Sequence, residues 1–145
     1  MLERLRTPAT AAVLAVAYYW ISCLVFEYMG GSLPPSWWDG GFVAPRVRVL
    51  TWFGMQDVLS AMAAALPVAL LFSRLVDRFA RRLALAIAAP TALLTFVQAY
   101  SQYGGGEWKM TVWISAVMVV LAQLFAVPLL AFVAAKVMPP VAPAR

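Results

Sequence analysis

The chain has 145 residues, 64% of them hydrophobic and 12% charged, and its mean hydropathy is +0.84. A soluble domain carries roughly a quarter charged residues, so this composition cannot clothe a water-facing surface, and lipid must be part of the solvent. The net charge of +5 and the pI near 9.9 do not point to nucleic acid, because the charges flank apolar segments as they do in membrane proteins.

Two further absences narrow the chemistry. The chain has no histidine, which excludes bis-His haem, His-ligated copper or zinc, and a His general base. Its single cysteine, Cys23, allows neither an intrachain disulfide nor a Cys-based metal site. No phosphate-binding, nucleophile or metal-ligand motif stands in the chain. The expectation is a protein with no catalytic residues, no metal and no cofactor.

Arg4 and Arg6 precede the first apolar run, residues 8–26. An apolar segment needs about 20 residues to cross a bilayer. Trp20-Ile21-Ser22-Cys23 loosely resembles a lipoprotein cleavage box, but Trp20 stands where leucine is expected, and we read an uncleaved first span. Residues 27–53 follow as an outer loop longer than a hairpin needs. It holds Gly30-Gly31, Pro34-Pro35, Trp37-Trp38 and Gly40-Gly41, too aromatic for a disordered linker. It reads as a structured segment at headgroup depth. It is either an aromatic anchor or a docking surface built on Trp37, Trp38, Asp39, Arg46 and Arg48.

The second span covers residues 54–73. Asp57 is the only carboxylate expected within hydrocarbon, and Arg46, Arg48 and Glu27 are its expected partners. Ala61, Ala65 and Ala69 form a small-residue row that lets another helix approach closely. The inner hairpin, 74–82, carries Arg74, Arg78, Arg81 and Arg82. These are a topology signal and candidate contacts for anionic lipid headgroups.

The third span, 83–99, carries its own row, Ala84, Ala88 and Ala92, so a tight hairpin of the second and third spans is expected. Thr91, Thr95, Gln98 and Gln102 share one face of that helix. The fourth span, 111–135, has Gln123 at its middle. Pro67, Pro90 and Pro128 all fall at one depth, where bends could open a cavity or simply serve packing.

Eight basic residues (Arg4, Arg6, Arg74, Arg78, Arg81, Arg82, Lys136, Arg145) fall on one side of these spans and three (Arg46, Arg48, Lys109) on the other. The tyrosines and tryptophans gather toward the second side. The expectation is an all-α integral membrane protein: a four-transmembrane-helix bundle forming one domain over 1–145, N-in and C-in, in a bacterial inner (plasma) membrane. A weak echo, Tyr28-Met29-Gly30-Gly31 against Tyr103-Gly104-Gly105, fits a duplicated hairpin.

Three functions fit these residues. The first is a non-catalytic subunit of a larger inner-membrane complex, with membrane lipids and other integral subunits or its own copies as partners. The second is a small homo-oligomeric transporter or channel lined by Asp57, Gln98 and Gln123. The third is a lipid or isoprenoid binder that uses a cavity at the proline level.

Overall fold

The computed structural model describes residues 2–29, 45–75, 81–103 and 110–137, with side chains described for 8–29, 52, 54–75, 82–101 and 113–137. The described residues form four helices: α1 (Leu2–Met29), α2 (Pro45–Leu75), α3 (Arg81–Tyr103) and α4 (Met110–Val137). Each contains a segment long and apolar enough to cross a membrane: Pro8–Met29, Gly54–Leu75, Arg82–Ser101 and Trp113–Val137. Helices are the expected solution, because in hydrocarbon every backbone N–H and C=O must be satisfied within its own segment. This is the composition of a multi-pass membrane protein.

The first loop is shorter than its expected bounds of 27–53. Helix α1 runs on to Met29, and α2 starts at Pro45, so Arg46, Arg48 and Trp52 belong to a helix. Charge ends an apolar stretch but not a helix, and Pro45 suits a first helical position because it lacks the N–H that would go unbonded there. Trp37, Trp38 and Asp39 lie outside the described residues, as does Arg78. The helices also reach into the expected inner hairpin 74–82, since α2 ends at Leu75 and α3 begins at Arg81.

Short connections make the helices alternate in direction. One end of the bundle, the aromatic end, joins α1 to α2 and α3 to α4; the other, the basic end, joins α2 to α3. Around the bundle the order is α1, α2, α4, α3, with α2 against α4 the most extensive contact and α3 against α4 the next. The expected α2–α3 hairpin does not form, because these two helices sit on a diagonal and barely touch. Small-residue rows permit close approach but do not select the partner. Ala61, Ala65 and Ala69 of α2, together with Ala84 and Ala88 of α3, are fully buried in one cluster with Ala126, Val127 and Ala131 of α4.

The helices continue through Pro67, Pro90 and Pro128. Pro67 and Pro90 are exposed on the outside of the bundle. Inside, at the same level, Val68, Ile87 and Val127 are fully buried members of that cluster. The prolines therefore accompany a filled interior. At the basic end of α4, the Lys136 ammonium sits 4.5 Å from the centre of the Phe132 ring, an arrangement worth about 0.5–1 kcal/mol at an exposed site.

Candidate functional site

The polar side chains that the bundle buries come from all four helices: Ser22 of α1, Ser60 of α2, Thr91 of α3 and Gln123 of α4. Tyr18 of α1 is also fully buried. Helical rise sets their depth. Thr91 lies ten residues from Ser101, Gln123 ten from Trp113 and Tyr18 eleven from Met29, so all three sit about 15 Å below the aromatic end of their spans. Ala64 of α2 shares that level and is fully buried. A polar layer thus crosses the middle of the bundle, with an alanine facing into it.

One hydrogen bond ties this layer across the diagonal: the Tyr18 hydroxyl donates to the backbone carbonyl of Gln123 at 3.0 Å. Ser22, one turn along α1, lies close to the same hydroxyl. Three side-chain atoms of the layer remain without a protein partner: Ser22 Oγ, Thr91 Oγ1 and the side-chain carbonyl Oε1 of Gln123. A buried polar atom left unpaired costs about 1–3 kcal/mol. Such atoms are normally met by water or a ligand.

On α3 and α4 burial changes at this layer, while α2 keeps Gly54, Ser60 and Ala61 buried toward the aromatic end. Toward the basic end, Ala84, Ile87, Ala88, Ala126, Val127 and Ala131 close the interior. Toward the aromatic end, no described residue of α3 beyond Ala92 is buried, and none of α4 from Trp113 to Ala122 is. The polar face of α3 shows the change directly: Thr91 is buried, Thr95 half-buried and Gln98 exposed, though all three share one phase of the helix. The inward face of α3 is therefore less covered by its neighbours beyond Ala92 than before it.

The rim of this end is held by α1, α2 and α4. The Gln56 side-chain amide donates to the carbonyl of Met29 at the end of α1. Asp57, half-buried, meets the Ser115 hydroxyl of α4. At Gly54 α2 packs tightly on α4, since a Cβ there would stand 2.7 Å from the Met118 methyl carbon. Glu27, an expected partner of Asp57, is exposed, and the side chains of Arg46 and Arg48 lie outside the described set.

The expected transmembrane polar residues therefore occupy three settings: Asp57 half-buried between α2 and α4, Gln98 exposed on α3, and Gln123 buried at mid-span. Arg74 and Arg82 are exposed at the basic end, while the Arg81 side chain lies outside the described set. Among the described residues no group of His, Cys, Asp and Glu could hold a metal ion. Tyr18 and Ser22 are the members that sequence reasoning did not single out, while Thr91 stood in the polar face of the third span. The depth that Tyr18 and Thr91 share was readable from the span ends, but their convergence depends on which helices are neighbours.

The aromatic residues also divide. Tyr28, Tyr100 and Trp113 stand exposed toward the aromatic end, as headgroup anchors do. Tyr18, Tyr19 and Trp20 lie deeper, near mid-span. Trp20 is 62% exposed on the outside of α1, and its ring meets Tyr19 edge-on at 6.1 Å. Compared with known proteins, the chain matches no family model, and no curated protein and no solved structure is similar to it.

Proposed function

We propose that this protein is a non-catalytic subunit of a larger assembly in a bacterial inner membrane, contributing packing and stability through lateral contacts. The observation that carries this reading is the outward face of α1. That helix is the least enclosed of the four, with 17% of its span buried against 39% for α2. Its exposed face sets Trp20 about 14 Å below Met29, with Cys23 exposed one turn further on. Lipid at that depth offers no acceptor for an indole N–H, whereas a neighbouring helix offers hydroxyls and carbonyls. Trp is also a favoured anchor at protein interfaces.

The N-in, C-in orientation and the aromatic first loop belong to the same reading. Trp37, Trp38, Asp39, Arg46 and Arg48 would extend the contact beyond the membrane. Arg74, Arg78, Arg81 and Arg82 would meet anionic lipid on the opposite side. Purification of the tagged full-length chain in mild detergent tests the proposal. Co-purifying integral membrane proteins, lost on Trp20→Ala, are expected; a chain that runs alone from native membranes refutes it.

The transporter reading has one observation in its favour, the polar floor at mid-membrane. Against it, the interior below that floor is apolar and filled, so a single bundle offers no through path. Asp57→Asn in reconstituted vesicles decides this reading, because it requires flux that the substitution abolishes.

A further inference from the structure

The outer face of α1 has an order that describes what covers it. Ala9, Val13, Val16, Trp20, Cys23 and Glu27 are all exposed, at intervals of four, three, four, three and four residues. They stand on the opposite side of the helix from the buried Leu14, Tyr18 and Ser22. Intervals averaging 3.5 residues draw one straight seam, along which a second helix can pack at a shallow angle. From Ala9 to Glu27 the seam is about 27 Å long, close to the roughly 30 Å of a bilayer's hydrocarbon core.

The seam carries one charge, and its place is unfavourable. Glu27 is exposed in the last turn of α1, and that turn has no basic residue. The C-terminal end of a helix already bears about half a negative charge on its carbonyls, so a carboxylate and a negative helix end add together there. The described cationic side chains, Arg74, Arg82 and Lys136, all lie at the basic end of the bundle.

We propose that the α1 seam docks a transmembrane helix of a different protein, one with a lysine or arginine at the aromatic-end boundary and a hydrogen-bond acceptor at the depth of Trp20. The inference rests on the subunit reading and specifies the partner. The basic side chain meets Glu27 and the negative end of α1 together, and the acceptor takes the Trp20 indole N–H. A lipid ammonium matches Glu27 but brings no acceptor to Trp20, about 10 Å deeper. A second copy is the wrong occupant. Packed about a two-fold axis along the membrane normal, it would set Glu27 against Glu27 beside two negative helix ends.

The test presents the seam with synthetic helices. The full-length chain, fused at its C-terminus to a fluorescent protein, is reconstituted in phosphatidylcholine liposomes. Acceptor-labelled single-span Leu/Ala helices are added, each with one serine at the Trp20 depth and with Lys, Leu or Glu at the aromatic-end boundary. By energy transfer, the Lys helix is expected to associate about three- to tenfold more tightly than the Leu helix. Glu27→Gln is expected to remove that preference, and Glu27→Lys to transfer it to the Glu helix. Equal or undetectable association of the Lys and Leu helices overturns the proposal, as does a Lys preference that survives Glu27→Gln.

The native Cys23 tests the competing occupant. In a two-fold contact along the seam, Cys23 faces its own copy. Treating native membranes with copper phenanthroline in air is therefore expected to give no disulfide-linked dimer, and a Cys23-linked dimer as the main product overturns the proposal. The probe helices are synthetic, so a missing charge preference sinks this inference while co-purification still decides the subunit reading.

Discussion

The two halves of the bundle use the same four helices in opposite ways. Toward the basic end the helices are brought together by residues too small to keep them apart: Ala65, Ala69, Ala84, Ala88 and Ala131, with Val68 and Val127 filling between them. Toward the aromatic end the inward face of α3 turns polar and burial continues only on α1 and α2, at Ser22, Gly54, Ser60 and Ala61. In a membrane no hydrophobic effect drives helices together, so contact must come from close packing and hydrogen bonds. The comparison shows both sources at work, and where each stops. On α4 alanine packing ends at Ala126, and the hydrogen bond from Tyr18 to the backbone of Gln123 lies one turn beyond.

The first way to break the comparison is to spoil the packed half. Ala65→Leu inserts a larger side chain into a fully buried position. It is expected to destabilise the bundle by about 1–3 kcal/mol, read as a loss of thermal stability in detergent; the same change at the exposed Ala63 is expected to be silent. Tyr18→Phe probes the junction between the halves. Loss of the hydroxyl that donates to the Gln123 carbonyl is expected to cost about 0.6–2 kcal/mol, with a double-mutant cycle against Ala65→Leu showing additive effects.

Gln123→Met keeps the volume and removes the amide. Because its side-chain oxygen is buried without a partner, the substitution is expected to leave stability unchanged or raise it; a loss of about 0.5–1.5 kcal/mol would mean that the amide is hydrogen-bonded. The smallest effect is expected at the rim. In Gly54→Ala the helix-propensity gain of about 0.5–1 kcal/mol is offset by displacement of the Met118 methyl. The net change should be close to zero, and it should become a clear gain when Met118→Ala removes the obstruction.

These expectations also mark what the sequence could tell. Hydropathy located all four spans, because the requirement for about 20 apolar residues acts on each segment alone. It did not find the first turns of α2, where Arg46 and Arg48 lower hydropathy without disturbing backbone hydrogen bonding. The alanine rows announced close approach but not its partner, since lipid treats every apolar helix face alike. The row Thr91, Thr95, Gln98 was legible as one face. That the face runs from buried to exposed depends on how far α1 and α4 cover α3 along its length, which no local pattern encodes. Likewise, Trp20 reads in sequence as one of many interfacial aromatics, and only its depth on α1 separates it from Tyr28 and Trp113.

The diagonal placement of α2 and α3 has a consequence for how the molecule is made. Helices that follow one another in the chain usually enter the membrane and pack as hairpins. Here α2 cannot bury its alanine face against α3, and its main neighbour, α4, is synthesised more than thirty residues after α2 has ended. Until α4 arrives, α1 is the only made neighbour of α2, and the part of its buried face that meets α4 has only lipid or the insertion machinery to cover it. The ring closes only once α4 takes its place between α2 and α3.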